Sequence, residues 1–184
     1  MKREFTAARL DVAAFAEAGA RLSGQGPLGQ FARLAAEAVE TTETEAGTVA
    51  WQAAGERRQD AAGRAEPWLH LHAQAALPLV CQRCLTPVRT QLEVDRWFRF
   101  APDEDTAAAL DEESDEDVLV LSREFDLPGL VEDELLMALP ITPRHEVCPQ
   151  DVPLSLADPD FEAAEKERPN PFAALAKLKP GKPQ

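Results

Sequence analysis

The chain has 184 residues, 45% of them apolar and 28% charged, with a formal net charge of −14 at pH 7. That length sustains one good hydrophobic core, and that composition excludes a wholly disordered chain. The charge excludes a general electrostatic attraction to polyanions, because nucleic-acid binding draws on cations that displace counterions.

The deficit is unevenly placed. Residues 1–100 carry 12 basic and 12 acidic side chains, whereas residues 101–184 carry 7 and 21. The start, Met1-Lys-Arg-Glu-Phe5, has no apolar signal core, and no run reaches the roughly 20 apolar residues of a membrane span. A cytoplasmic protein is expected.

Residues 5–40 read as two short helices. Asp11 is placed to cap the first, with Val12, Phe15, Ala16 and Leu22 along one side, and Gly24-Gln-Gly-Pro27 breaks it. Phe31, Leu34, Ala35 and Ala38 then recur at helical spacing. Thr48-Val-Ala-Trp-Gln-Ala53 reads as a strand, followed by a polar connection over Gly55–Gly63.

Residues 68–81 alternate. Leu69, Leu71, Ala73, Ala75, Leu77, Leu79 and Cys81 share one face, with His70, His72 and Gln74 on the other. Leu92, Val94, Phe98 and Phe100 form a second alternating set, interrupted by Arg96. The two predict a hairpin whose turn is Cys81–Pro87. His70 and His72 point the same way, but with no third ligand nearby they read as an exposed strand face. Arg83, Arg89, Arg96 and Arg99 are the cations available for RNA contact; a solvated strand face is their plainer use.

Residues 101–117 bring nine carboxylates with no compensating base and read as an acidic mobile loop. Val118–Leu121 is a short apolar strand. Asp126 caps a helix with Pro128 in its first turn and Pro140 at its stop. Leu127, Leu130, Val131, Leu135 and Ala138 form its buried stripe, leaving Glu132 and Asp133 outward. Residues 141–168 are proline-punctuated and acidic. Asn170 as cap and Pro171 at the first helical position then open a short amphipathic helix over 171–179. Phe172, Leu175 and Leu178 line one side of it, for docking on the chain's own domain or on a partner.

Cys81 and Cys84 are spaced so that two thiolates face one point, and three readings stand for them. A redox pair belongs at a helix N-terminus, where the dipole lowers a thiol pKa, whereas these end a strand. A structural zinc site would draw Cys81, Cys84, His145 and Cys148 into S₃N coordination, a permitted tetrahedral set. Two reduced, partly buried thiols at a hairpin corner are the plainer alternative.

Cys81-Gln-Arg-Cys84, Val131-Glu-Asp-Glu-Leu-Leu-Met-Ala-Leu-Pro140 with Pro143 and His145, then Cys148 and Pro169-Asn-Pro-Phe-Ala-Ala-Leu-Ala-Lys-Leu-Lys179, together resemble the YceD family, named for large ribosomal RNA subunit accumulation. Order and spacing agree over residues 81–179. The resemblance implies a non-enzymatic ribosome-biogenesis factor supporting synthesis, processing or stability of 23S ribosomal RNA. Its partners would be that RNA or its precursor particles, met directly or through a basic ribosomal protein drawn to the acidic half, with no DNA and no membrane. Some relatives carry more cysteines after the Leu-Pro segment, which suits zinc; this chain has only His145 and Cys148 there. The rivals are a zinc-dependent or redox protein using Cys81 and Cys84, and an acidic adaptor.

The expected architecture is α+β. A single domain over residues 1–150 holds a small, largely antiparallel sheet with packed helices and the acidic loop 101–117. A flexible acidic tail over 151–184 tethers the C-terminal helix.

Overall fold

Alternating apolar residues build the centre of the molecule. The computed structural model describes residues 4–40, 47–59, 63–151 and Phe172. Strands β3 (Ala65–Val80) and β4 (Pro87–Ala101) form the expected hairpin, with Trp68 opposite Arg99 at one end and Val80 opposite Pro87 at the other. Every inward position of β3 from Leu69 to Leu79 is buried, facing Leu92, Val94, Phe98 and Phe100 of β4.

Among the described residues three further strands join the sheet, in the order β1-β2-β3-β4-β5. Strand β2 (Thr48–Gln59) runs antiparallel to β3, and β1 (Arg21–Pro27) antiparallel to β2. Strand β5 (Asp117–Val120) lies parallel to β4. A parallel neighbour needs a crossover, and helix α3 (Glu104–Asp111) sits within it. Helix α1 (Val12–Glu17) packs on β2 and β3, and α4 (Leu127–Met137) on β3 and β4; α2 (Ala32–Glu37) fits against α4. The result is an α+β fold with the core on one face of the sheet. No helix among the described residues is long and apolar enough to cross a membrane.

The other face of the sheet is polar, with one aromatic cluster. The Arg58 guanidinium lies 3.8 Å from the Trp97 ring centroid and 4.5 Å from that of Trp68. His70 stacks on Trp97 at 4.4 Å and pairs with Asp95. This occupies His70 as a strand-face residue.

Several local expectations give way. The segment 21–27 is strand β1, although its glycines read as a helix breaker. A Cβ on Gly24 would stand 2.5 Å from the Trp51 ring, so this glycine permits close approach to β2. The polar stretch after Gly55 continues β2 to Gln59. A Cβ on Gly55 would lie 2.7 Å from both the Phe15 ring and the Phe15 carbonyl oxygen, so the bare backbone here is what seats α1. Residues 101–117 are not one loop: Asp103 Oδ1 accepts from Thr106 N at 2.8 Å, opening α3, and Ala107 is buried.

Helix α4 is capped as expected, Asp126 Oδ1 accepting from Gly129 N at 3.1 Å, and Leu127, Val131 and Leu135 are fully buried. Glu132, expected outward, is instead turned to α2. Its carboxylate accepts from the backbone of Arg33 at 2.7 Å and of Leu34 at 3.2 Å, and from the Arg33 guanidinium at 3.0 Å. It satisfies donors at the start of α2 that the helix itself cannot.

The described residues up to Cys148 belong to one compact unit. The expected C-terminal helix, with Asn170, Pro171, Leu175 and Leu178, lies outside the described residues apart from Phe172.

Candidate metal centre at the hairpin turn

The turn between β3 and β4 is closed by its own backbone. Cys81 N donates to Thr86 O at 2.9 Å and Leu85 N to Cys81 O at 2.9 Å. Leu85 takes a left-handed conformation, φ +58°, to complete it. Gln82 N donates to Pro143 O at 2.8 Å, pinning the segment after α4 against the turn. That bond bridges the long sequence gap between Cys84 and His145.

The four predicted ligands converge. One ligand atom from each of Cys81, Cys84, His145 and Cys148 lies within 4.8 Å of all the others. The Cys84 sulfur is 3.4 Å from His145 Nδ1 and 3.1 Å from Thr86 Oγ1. His145 Nε2 donates to Pro87 O at 3.1 Å, leaving Nδ1 to face the thiols. Cys81 is fully buried and the other three are half-buried.

The electrostatics favour thiolates at Cys81 and Cys84. Burial opposes ionisation of Cys81, but the backbone N–H groups of Cys84, His145 and Arg83 converge on its sulfur and hold its pKa down to about 5. The Thr86 hydroxyl bonded to Cys84 lowers that thiol against the opposing effect of burial. His145 is raised by its contact with Cys81, and Cys148 is raised by burial and by the neighbouring sulfurs.

This donor set fits a tetrahedral thiophilic cation. Zinc–sulfur bonds of about 2.3 Å place ligand atoms about 3.8 Å apart, inside the 4.8 Å that spans the four and near the 3.4 Å between Cys84 and His145. An imidazole fixed through its far nitrogen on a backbone carbonyl is the usual outer support of a metal-bound histidine. Thr86, Pro87 and Pro143 supply that support and were not foreseen; only the nearness of Thr86 and Pro87 to Cys84 hinted at it.

The remaining predicted residues divide. Arg99 makes a two-pronged pair with Glu66 at 2.6 and 2.8 Å, both side chains largely covered. Arg96 bridges Asp117 at 2.6 Å and Glu134 at 3.1 Å. Arg83 and Arg89 are exposed at the turn end of the hairpin. His70 and His72 lie apart from the cysteine cluster, on the polar face of the sheet.

Comparison with known proteins covers this same region. The family model described as "Large ribosomal RNA subunit accumulation protein YceD" matches residues 69–179. A relative of that name from Haemophilus influenzae is 36% identical over 109 residues, 58% of this chain and 62% of the relative. The match thus spans less than two thirds of that relative's length. No solved structure matches the chain. The matched residues include the hairpin from Leu69 onward, α4 and all four members of the cluster: the chain belongs to the YceD family.

Proposed function

We propose that this protein is a non-enzymatic factor supporting the accumulation of 23S ribosomal RNA, through its synthesis, processing or stability, and that Cys81, Cys84, His145 and Cys148 hold a structural zinc ion. The observation that carries the functional reading is the family match over residues 69–179, which takes in the hairpin and the whole cysteine cluster. The zinc reading is supported by the donor set and by the His145 Nε2 bond to Pro87 O. Bound zinc would offset two of the three thiolate charges and tie the segment after α4 to the hairpin turn. A redox role fits less well, because Cys81 and Cys84 lie at a strand turn and not at the helix N-terminus where a redox pair belongs.

The functional test is affinity purification from cells, reading the ribosomal RNA that accompanies the protein. Enrichment of precursor large-subunit particles is expected, and a profile no different from an untagged control would overturn the reading. Metal content tests the site separately. One zinc per chain is expected, falling to none in Cys81→Ser, whereas zinc retained by that variant would dismiss the assignment.

A further inference from the structure

Resting on the ribosomal-RNA reading above, we infer that the turn end of the hairpin is a contact surface for single-stranded RNA, formed by Arg83, Leu85, Ile141, Arg144 and Val147.

Leu85 is the first sign. It holds a left-handed backbone conformation that a glycine would adopt freely and a leucine adopts at a cost. Its side chain recovers little of that cost by burial, being 75% exposed. Strain kept at an exposed position points to a use outside the fold. Ile141 and Val147 are 99% and 85% exposed, in the segment held on the turn by the Gln82–Pro143 bond and by Cys148. Three large apolar side chains thus stand in solvent on the turn and on the segment bonded to it.

Charge is the second sign. Arg83 and Arg144 are exposed here. Among the described residues no carboxylate pairs with Arg83, and Arg144 donates to Thr142 Oγ1. Arg33, Arg96 and Arg99 are all committed to carboxylates elsewhere. The one carboxylate within residues 141–148 is Glu146, so the two exposed arginines outnumber the carboxylates here in a chain of net charge −14. Phosphates would meet the two guanidinium groups, and the apolar side chains would cover the faces of unstacked bases. A duplex offers only the phosphates, so single strands are preferred.

The test uses the 184-residue chain as purified with a fluorescent single-stranded RNA of mixed sequence, about 12 nucleotides long, and a duplex of the same length; phosphate contacts set the salt dependence of each. Single-strand binding is expected to exceed duplex binding. Arg83→Ala with Arg144→Ala should weaken it about tenfold and flatten the slope of log affinity against log salt by about 0.7 per arginine. Leu85→Gly should weaken it about fivefold while leaving the melting temperature unchanged or higher, which a merely structural leucine would not do. Arg21→Ala, an exposed residue on β1, should stay within about twofold, separating position from charge. Equal loss in Arg21→Ala, or no loss in the turn variants, overturns the surface. Particle capture distinguishes the two readings. If the Arg83/Arg144 variant binds RNA poorly in isolation yet still captures precursor particles as wild type does, this surface is not the contact and a ribosomal protein is. If wild type captures none, the ribosomal reading fails with it.

Discussion

The two ends of the central hairpin are built on different principles. At the open end, Leu69, Phe98 and Phe100 are buried beneath α1 and α4, and order follows from removing apolar surface from water. At the turn end, Cys84, Thr86, Val88, His145 and Cys148 are only half-buried, and the backbone is held by single hydrogen bonds and converging donors. One continuous pair of strands therefore passes from a region stabilised by packing to one held by a few backbone bonds around the Cys81, Cys84, His145 and Cys148 cluster.

The sharpest way to break this contrast is to damage each end and ask whether the other responds. Phe98→Ala should cost about 3–5 kcal/mol in urea denaturation, by the same amount with or without chelator. Stripping zinc should cost less, about 2.7 kcal/mol if free zinc had stood at a hundred times its dissociation constant. The loss should be confined to the turn, with hydrogen exchange accelerating at Gln82 and Leu85 but not at Leu71. Global unfolding on chelation would show the two ends to be one cooperative unit.

Glu132 sharpens the packed end further. Burial opposes ionisation of its carboxylate, but the Leu34 and Arg33 donors outweigh this and hold its pKa below the ordinary value. A carboxyl that releases its proton more readily when folded adds stability above its unfolded pKa. That contribution disappears as pH falls through the lower, folded value. Glu132→Gln should lower stability by about 1–2 kcal/mol near neutrality. It should also flatten the acid limb of melting temperature against pH, while the same limb in Cys81→Ser stays steep. The smallest effect, about 1 kcal/mol, belongs to Asp126→Ala, which removes the cap of α4 and leaves metal content unchanged.

The packed end was legible because alternation over Leu69–Leu79 and Leu92–Phe100 has one structural solution. The cluster was legible in composition, since Cys81, Cys84, His145 and Cys148 were the ligands at hand. What brings them together was not, because a backbone bond such as Gln82 N to Pro143 O leaves no trace in side-chain pattern. Strand β1 was missed for a related reason. Gly24 reads as punctuation until Trp51 lies across it, and glycine then becomes the residue that lets two strands meet. Helix α3 was hidden by charge: the acids around it drew attention from Thr106-Ala-Ala-Ala-Leu110, a run of good helix formers behind the Asp103 cap.

The outer strands of the sheet have a bearing on how the molecule keeps company. Strand β1 carries Gly24 and Gly26 and ends on Pro27, which has no N–H to offer; β5 is four residues long and opens on Asp117, tied down by Arg96. Both are poor templates for an added strand, so neither border invites self-association into fibrils or recruitment of a partner by strand donation. Among the described strands, then, the sheet offers a neighbour its side chains and not its borders.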